Sequence, residues 1–241
     1  SGAPFVTIVN ALGGKFYDMD WNATVETDEQ RAAWEMYKKV LRDAGQDDII
    51  TYTYNECISL MNSGKCGIWY DATSNGPNLE ADDSLFKGKV GYAPSPAGWL
   101  WNWGMNINPN SSDEKKQAAF DFMVWACSKD YVNLSLEKDP SGASTPSGVR
   151  ASTYELDAYK DLPYAQATLD ALSDLDFNHP CKDEVPYVGL QYIAIPEFQE
   201  AGDKMTEALA AYVTDEITLD EALATTQKAF EQAAEEGGYK K

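Results

Sequence analysis

One stretch near the end of the first quarter of the chain combines a turn, a short apolar run and a polar loop. It reads Asn62-Ser63-Gly64-Lys65-Cys66-Gly67-Ile68-Trp69-Tyr70-Asp71-Ala72-Thr73. Before it, Thr53 and Glu56 form a capping box for a short helix that ends at Gly64. The apolar run 66–70 predicts a buried strand, and the loop 71–77 ends it with Gly76 and Pro77. The stretch therefore predicts a helix–strand–loop unit.

The rest of the chain continues this alternation of helices and short strands. Capping residues and apolar spacing predict helices at 28–44, 113–128, 152–159, 164–175, 195–212 and 219–236. Further strands are predicted at 90–93 and 99–107. In the helix 113–128, the residues expected to face the core are Ala119, Phe122, Met123 and Ala126. The pattern indicates an α/β fold without an internal repeat.

Composition excludes several classes of function. The chain has 241 residues and a net charge of −20, which disfavours nucleic acid or an anionic membrane surface as a partner. No apolar run approaches the roughly 18 residues of a membrane span. With His179 as the only histidine, a histidine-rich metal site is excluded. We also expect no signal peptide within this chain, because it has neither a basic nor an apolar leader segment.

The four cysteines leave two interpretations open. Either they are buried thiols of a cytosolic protein, or they form disulfide bonds in an oxidising compartment. We favour the pairs Cys57–Cys66 and Cys127–Cys181. Cys66 follows the turn after the helix that carries Cys57, and Cys181 lies in a loop where an unused thiol would be exposed.

The most concentrated aromatic signal is Trp99-Leu100-Trp101-Asn102-Trp103. Residues two apart in a strand share a face, so the three indoles are expected to project to one side. Flat aromatic faces bordered by amides and carboxylates suit a sugar ring or a polyol chain. The alternative is that the indoles pack in a core.

Two further segments supply polar groups. Asp71 and Asn75 follow the predicted strand 66–70, where short polar side chains can accept hydroxyl protons, although an ordinary Asx turn explains them equally well. Tyr187 and Gln191 precede a predicted helix, and Tyr187 could equally cap the core. The sequence contains no nucleophile elbow, phosphate loop or zinc motif, so we expect binding without chemistry, cofactor or metal.

Several of these segments together resemble the extracellular solute-binding proteins of ABC importers, in the maltose-binding-like superfamily. Within it, the similarity is greatest to the group that binds sorbitol and mannitol. The similarity rests on the stretch 62–73 quoted above, on the tryptophan segment 99–107, and on further segments through the chain. Those segments are 118–122, 125–129, 146–150, 185–191 and 195–199.

The resemblance implies a periplasmic binding protein type II-like fold, which has two lobes and a hinge. It assigns 1–104 to the C-terminal lobe, 105–150 mainly to the N-terminal lobe, and 151–241 to the C-terminal lobe again. Family members carry a further N-terminal half, which is expected as a separate chain or a lost segment. The expected location is periplasmic or extracellular.

The resemblance also implies roles for individual residues in a cleft between the lobes. Trp101 and Trp103 are expected to stack on the ligand. The expected hydroxyl partners are Asp71, Asn75 and Gln191; Tyr187 is expected as a wall and Arg150 as a polar contact. The implied function is binding of a sugar alcohol or monosaccharide for delivery to an ABC permease, with no enzymatic activity. Alternatives are a secreted glycosidase with two carboxylates and a surface adhesion or scaffold module.

Overall fold

A computed structural model of the chain describes residues 2–101, 103–142, 144–145 and 150–240. The chain divides into two compact units. Unit 1 comprises Ser1–Cys57, Ser95–Leu100 and Asp174–Lys241, and unit 2 comprises Ile58–Pro94 and Trp101–Ser173. These bounds do not coincide with the predicted lobe boundaries at 104/105 and 150/151, and the assignment of lobes stays a prediction.

Helices account for most of the regular structure in the described residues. In chain order they are α1 (Gly2–Ala11), α2 (Asp28–Ala44), α3 (Tyr54–Asn62), α4 (Gly76–Leu79), α5 (Asp113–Ala126), α6 (Lys129–Lys138), α7 (Ala151–Tyr154), α8 (Asp157–Lys160), α9 (Ala165–Ser173), α10 (Phe198–Val213) and α11 (Leu219–Glu236). Two short 3₁₀ turns lie at Ile49–Thr51 and Thr73–Asn75. No described helix combines the length and the apolar character that crossing a membrane requires.

The core of unit 1 is built by α1, α2, α10 and α11. The predicted helices 28–44 and 219–236 are confirmed to the residue, and Thr218 with Glu221 forms the complete capping box at the start of α11. Phe5, Trp34 and Phe230 are fully buried there. Unit 1 thus has its own hydrophobic core, although sequence patterning missed α1.

Unit 2 has a smaller core that is rich in tyrosine. Tyr154 packs edge to face on Tyr159, with ring centroids 5.4 Å apart, and Tyr159 packs edge to face on Tyr164, with centroids 6.2 Å apart. Val132 and Leu136 of α6 complete this cluster. The sequence did not predict α6, and it predicted a single helix at 152–159 where the structure has α7 and α8.

The three predicted strands are wrong for the described residues. No described residue of segments 66–70, 90–93 and 99–107 is paired in a sheet, and the described pairing is one antiparallel bridge between Tyr17 and Ala23. A β-strand requires a neighbouring backbone that accepts and donates its hydrogen bonds. An apolar run predicts an extended, buried segment, but it carries no information on where that neighbour comes from.

Helix α5 has the predicted start but not the predicted burial. The Ser112 hydroxyl accepts a hydrogen bond from the Lys115 amide at the N-terminus. No residue of α5 is buried, however, and Phe122 is 57% exposed rather than in the core. Ala119, Met123 and Ala126 are half-buried. The apolar residues of α5 surround the helix instead of forming one stripe, which is typical of a helix covered on several sides.

The predicted disulfide bonds are absent. Cys66, Cys127 and Cys181 are free thiols, and each predicted pair requires at least one of them. The Cys66 Sγ donates to the Ile68 carbonyl at 2.8 Å, and the Cys181 Sγ donates to the Asp183 carbonyl at 3.5 Å. Both thiols therefore turn toward their own loops.

Candidate functional site

Unit 2 contains a cavity of about 420 Å³ between two segments of its chain. One wall comes from residues 61–79, which include the stretch 62–73 and the turn that follows it, and the other comes from residues 86–93. Its lining includes aromatic, apolar and hydroxyl-binding side chains: Met61, Cys66, Gly67, Ile68, Trp69, Asp71, Ala72, Thr73, Asn75, Gly76, Leu79, Phe86, Lys89, Val90, Gly91, Tyr92 and Ala93. Apolar walls with a few converging polar groups are typical of small-molecule sites.

Asp71 supplies a carboxylate to this cavity. Its Oδ1 accepts a hydrogen bond from the Ala72 amide at 2.7 Å, and the Trp69 side chain also hydrogen bonds to the carboxylate. Burial nevertheless raises the pKa of Asp71 above its ordinary value, because desolvation outweighs both hydrogen bonds. A half-buried carboxylate of this kind gains from a ligand hydroxyl that donates to it.

Asn75 supplies a donor that no protein group uses. The residue is 2% exposed, and its Oδ1 accepts from the Asn78 side chain at 3.2 Å. Its Nδ2 is buried without a hydrogen-bond partner. A buried donor without an acceptor costs about 1–3 kcal/mol. Asn75 is also one of the residues that line the cavity.

The position of Asn75 depends on the glycine that follows it. A Cβ on Gly76 would lie 2.3 Å from the Tyr164 ring, so only glycine allows α4 to approach this tyrosine. Tyr164 itself belongs to the core of unit 2. The short helix and the turn before it are thereby fixed to the most rigid part of the unit.

The opposite wall is tied to α4 by a buried carboxylate. Glu80, 6% exposed, accepts the Tyr92 hydroxyl on Oε1 at 3.0 Å and the Gly88 amide on Oε2 at 2.8 Å. Burial and the neighbouring Glu80 raise the pKa of Tyr92 above its ordinary value. The Tyr92 hydroxyl therefore keeps its proton and directs it at Glu80.

Of the predicted site residues, Asp71 and Asn75 come together in this cavity. Trp101 and Trp103 also belong to unit 2 but are not among its lining residues. They stack on each other, with ring centroids 6.2 Å apart and planes 12° apart, and are 57% and 86% exposed. They keep the flat aromatic surface that the sequence predicted, so their stacking role stays a prediction.

Gln191 and Tyr187 lie in unit 1 and are engaged by protein groups. The Gln191 side chain accepts from the Leu100 amide at 3.3 Å and donates to the Leu100 carbonyl at 2.5 Å. Tyr187 is 5% exposed, and its oxygen accepts from the Phe16 amide at 3.2 Å. In the structure the first holds the segment before Trp101, and the second packs in the core of unit 1. Their roles toward a ligand stay predictions.

Arg150 also has a structural partner. Its Nη2 donates to the Cys127 carbonyl at 2.7 Å, immediately after the end of α5. A guanidinium at this place satisfies a carbonyl that the helix leaves unpaired. In the structure Arg150 therefore caps α5, and its contact with a ligand stays a prediction.

Sequence reasoning missed Trp69, Glu80 and Tyr92. Trp69 stands within the opening stretch, and its proximity to Asp71 in sequence was a usable signal. Glu80 and Tyr92 are twelve positions apart and carry no motif, so their pairing required the fold.

The chemistry of the cavity is that of hydrogen bonding to a neutral ligand. Asp71 is the one carboxylate among its lining residues, whereas glycoside hydrolysis requires two that face each other. Among the described residues, no group of three or more His, Cys, Asp or Glu side chains could hold a metal ion.

Comparison with known proteins identifies the family. The sequence model of the bacterial extracellular solute-binding proteins matches residues 1–133, which is more than half of the chain. The chain belongs to this family. It is 34% identical to a mannitol-binding protein of Pseudomonas aeruginosa over 98% of its own length. The alignment covers 55% of that relative.

Solved structures of this family share its maltose-binding-like fold. A crystal structure of a solute-binding protein from Agrobacterium vitis S4 with bound D-mannitol superimposes with a TM-score of 0.91 at 33% identity. It covers all of this chain, and this chain covers 59% of it. A maltose-bound protein from T. maritima matches with a TM-score of 0.76 at 20% identity, which shows the fold alone. The chain thus spans somewhat more than half the length of these relatives.

Proposed function

We propose that this chain is part of the periplasmic solute-binding component of an ABC importer and binds a sugar alcohol or a monosaccharide without changing it. The observation that carries the proposal is that one cavity is lined both by Asp71 and by Asn75, whose Nδ2 has no hydrogen-bond partner in the protein. A hydroxyl both donates and accepts, so adjacent hydroxyls of a polyol can serve these two groups together. The bound D-mannitol of the Agrobacterium vitis relative supports a polyol as the ligand.

Titration calorimetry of the full protein tests this function. We expect heat of binding at a one-to-one ratio with D-mannitol, ribitol or a related polyol, because the cavity offers both a donor and an acceptor. A monosaccharide series identifies a cyclic ligand instead. The absence of heat with every polyol and monosaccharide contradicts the proposed function.

Transport requires a membrane partner that this chain does not contain. The function proposed here implies that an ABC permease recognises the ligand-bound protein. The net charge of −20 accords with a dissolved carrier of neutral ligands. Proteoliposomes that hold the permease should import labelled polyol only when this protein is added.

We also propose that further polypeptide, equivalent to the unmatched length of the relatives, covers apolar surface of unit 2. Large side chains are exposed there on α5, on two of the segments predicted as strands and in the loop that contains Leu85. They are Ile68, Leu85, Trp101, Trp103, Met105, Phe120, Phe122, Val124 and Trp125. Ile68 is 87% exposed, and soluble proteins rarely leave so many large apolar side chains in water. Segments 66–70 and 99–107, which the sequence predicts as strands, would pair with such a polypeptide.

A hydrophobic dye distinguishes a covered surface from an exposed one. We expect the 241-residue chain alone to bind the dye strongly, and Phe122→Ser with Trp125→Ser to reduce the signal by about half. A longer form that carries the additional polypeptide should bind little dye. Equal dye binding by both forms contradicts the proposal.

A further inference from the structure

Glu80 and Tyr92 form a hydrogen-bonded pair in which Glu80 is buried and Tyr92 is half-buried. The Tyr92 hydroxyl donates to the Glu80 Oε1 at 3.0 Å, and Tyr92 lines the cavity while Glu80 does not. A phenol has one proton but can still accept hydrogen bonds on its oxygen. Because the proton is used on Glu80, the oxygen is left as an acceptor.

The surroundings of Glu80 hold this orientation in place. The other carboxylate oxygen accepts the Gly88 amide at 2.8 Å, and the residue is almost fully buried. Both Glu80 oxygens thus act as acceptors, one for the Gly88 amide and the other for the Tyr92 hydroxyl, which is the donor of the pair. Tyr92 also packs edge to face on Tyr164, with centroids 6.1 Å apart, which fixes its ring.

We propose that Glu80 is a specificity-determining positioning residue, which makes Tyr92 an obligatory hydrogen-bond acceptor and so selects ligands that present a donating hydroxyl at that point. The inference rests on the proposed function. Tyr92 then joins Asp71 as an acceptor in a lining that also carries the donor groups of Asn75 and Lys89. This balance suits a chain of hydroxyls and disfavours a ligand whose group at that position can only accept.

Deoxyfluoro analogues of D-mannitol test this polarity, since fluorine replaces a hydroxyl in size but cannot donate. In the wild-type full protein, we expect the analogue substituted opposite Tyr92 to bind at least about tenfold more weakly than D-mannitol. In Glu80→Gln, the amide can donate to the Tyr92 oxygen and release the phenol proton toward the cavity. We expect the affinity for D-mannitol to fall about tenfold and the discrimination between the two ligands to shrink below about threefold.

Two further variants separate polarity from simple loss of structure. Tyr92→Phe removes the acceptor, so it should lose the same discrimination. Glu197→Gln is the matched control, because Glu197 accepts the Tyr239 hydroxyl at 3.0 Å in unit 1. It should leave both affinities unchanged, and thermal unfolding of each variant confirms that it is folded.

The outcomes distinguish this inference from the function on which it rests. A wild-type protein that binds no polyol overturns the proposed function, and the inference falls with it. A wild-type protein that binds D-mannitol, combined with unchanged discrimination in Glu80→Gln, overturns the inference alone. Collapsed discrimination in both Glu80→Gln and Tyr92→Phe supports it.

Discussion

The Asn75→Leu variant is expected to lose about 100-fold in affinity for the polyol while its free energy of unfolding stays the same or rises by up to about 1 kcal/mol. Affinity and stability are expected to respond differently because both depend on the Nδ2 atom of Asn75. In the absence of ligand, the Nδ2 of Asn75 is buried without an acceptor, so an apolar side chain of similar size removes a destabilising group. With ligand bound, the same atom is the donor that the complex needs.

Calorimetry with the polyol and chemical denaturation without it measure the two effects separately. The matched control is Asn133→Leu, at an exposed position on α6 outside the cavity, which should leave the affinity unchanged. The Asn78 side chain loses its acceptor in Asn75→Leu, but it is exposed and can bond to water instead. An unchanged affinity in Asn75→Leu contradicts the assignment of this cavity as the ligand site.

Local sequence was sufficient to bring Asp71 and Asn75 together. They lie four positions apart in one polar turn, so their proximity follows from the short connection and required no knowledge of the fold. The same holds for the bounds of α2 and α11, which apolar spacing within a few turns predicts, and at α11 the capping box of Thr218 and Glu221 is also present. Interactions within about ten residues are those that a single sequence reveals.

Long-range partners were not accessible in this way. The Gln191 side chain is engaged with Leu100, 91 positions away, and Tyr187 with Phe16, 171 positions away. An amide and a phenol near a predicted helix suit a ligand or a backbone equally well. Whether these side chains bind a ligand or a backbone group depends on which distant segment the fold places beside them.

The failure of the predicted strands has the same physical origin. Apolar, β-branched and aromatic residues in segments 66–70 and 99–107 favour an extended backbone, but pairing depends on a second segment. In the described residues, Ile68 and Trp103 remain among the most exposed apolar side chains. Such exposed apolar segments are the surface that the proposed further polypeptide would cover. The relatives, of which this chain covers 55% and 59%, contain additional length of this kind.

The largest expected loss of stability is at Phe230, the centre of the aromatic core of unit 1. Its ring stacks on Phe16 at 4.9 Å, and it lies within 6.1 Å of the ring centroids of Tyr17 and Phe198. The side chain is fully buried. We expect Phe230→Ala to lower the free energy of unfolding by about 3–5 kcal/mol, since it removes buried apolar surface and leaves a cavity that a rigid aromatic cluster fills poorly.

Chemical denaturation of the 241-residue chain measures this loss, and Phe122→Ala provides a control with the same change of side chain. Phe122 is 57% exposed on α5, so its truncation should change the free energy of unfolding by no more than about 0.5 kcal/mol. Similar losses in the two variants would contradict the division into a buried core in unit 1 and an uncovered helix in unit 2. A large loss at Phe122 that occurs only in a longer form of the protein would instead locate the polypeptide that covers α5.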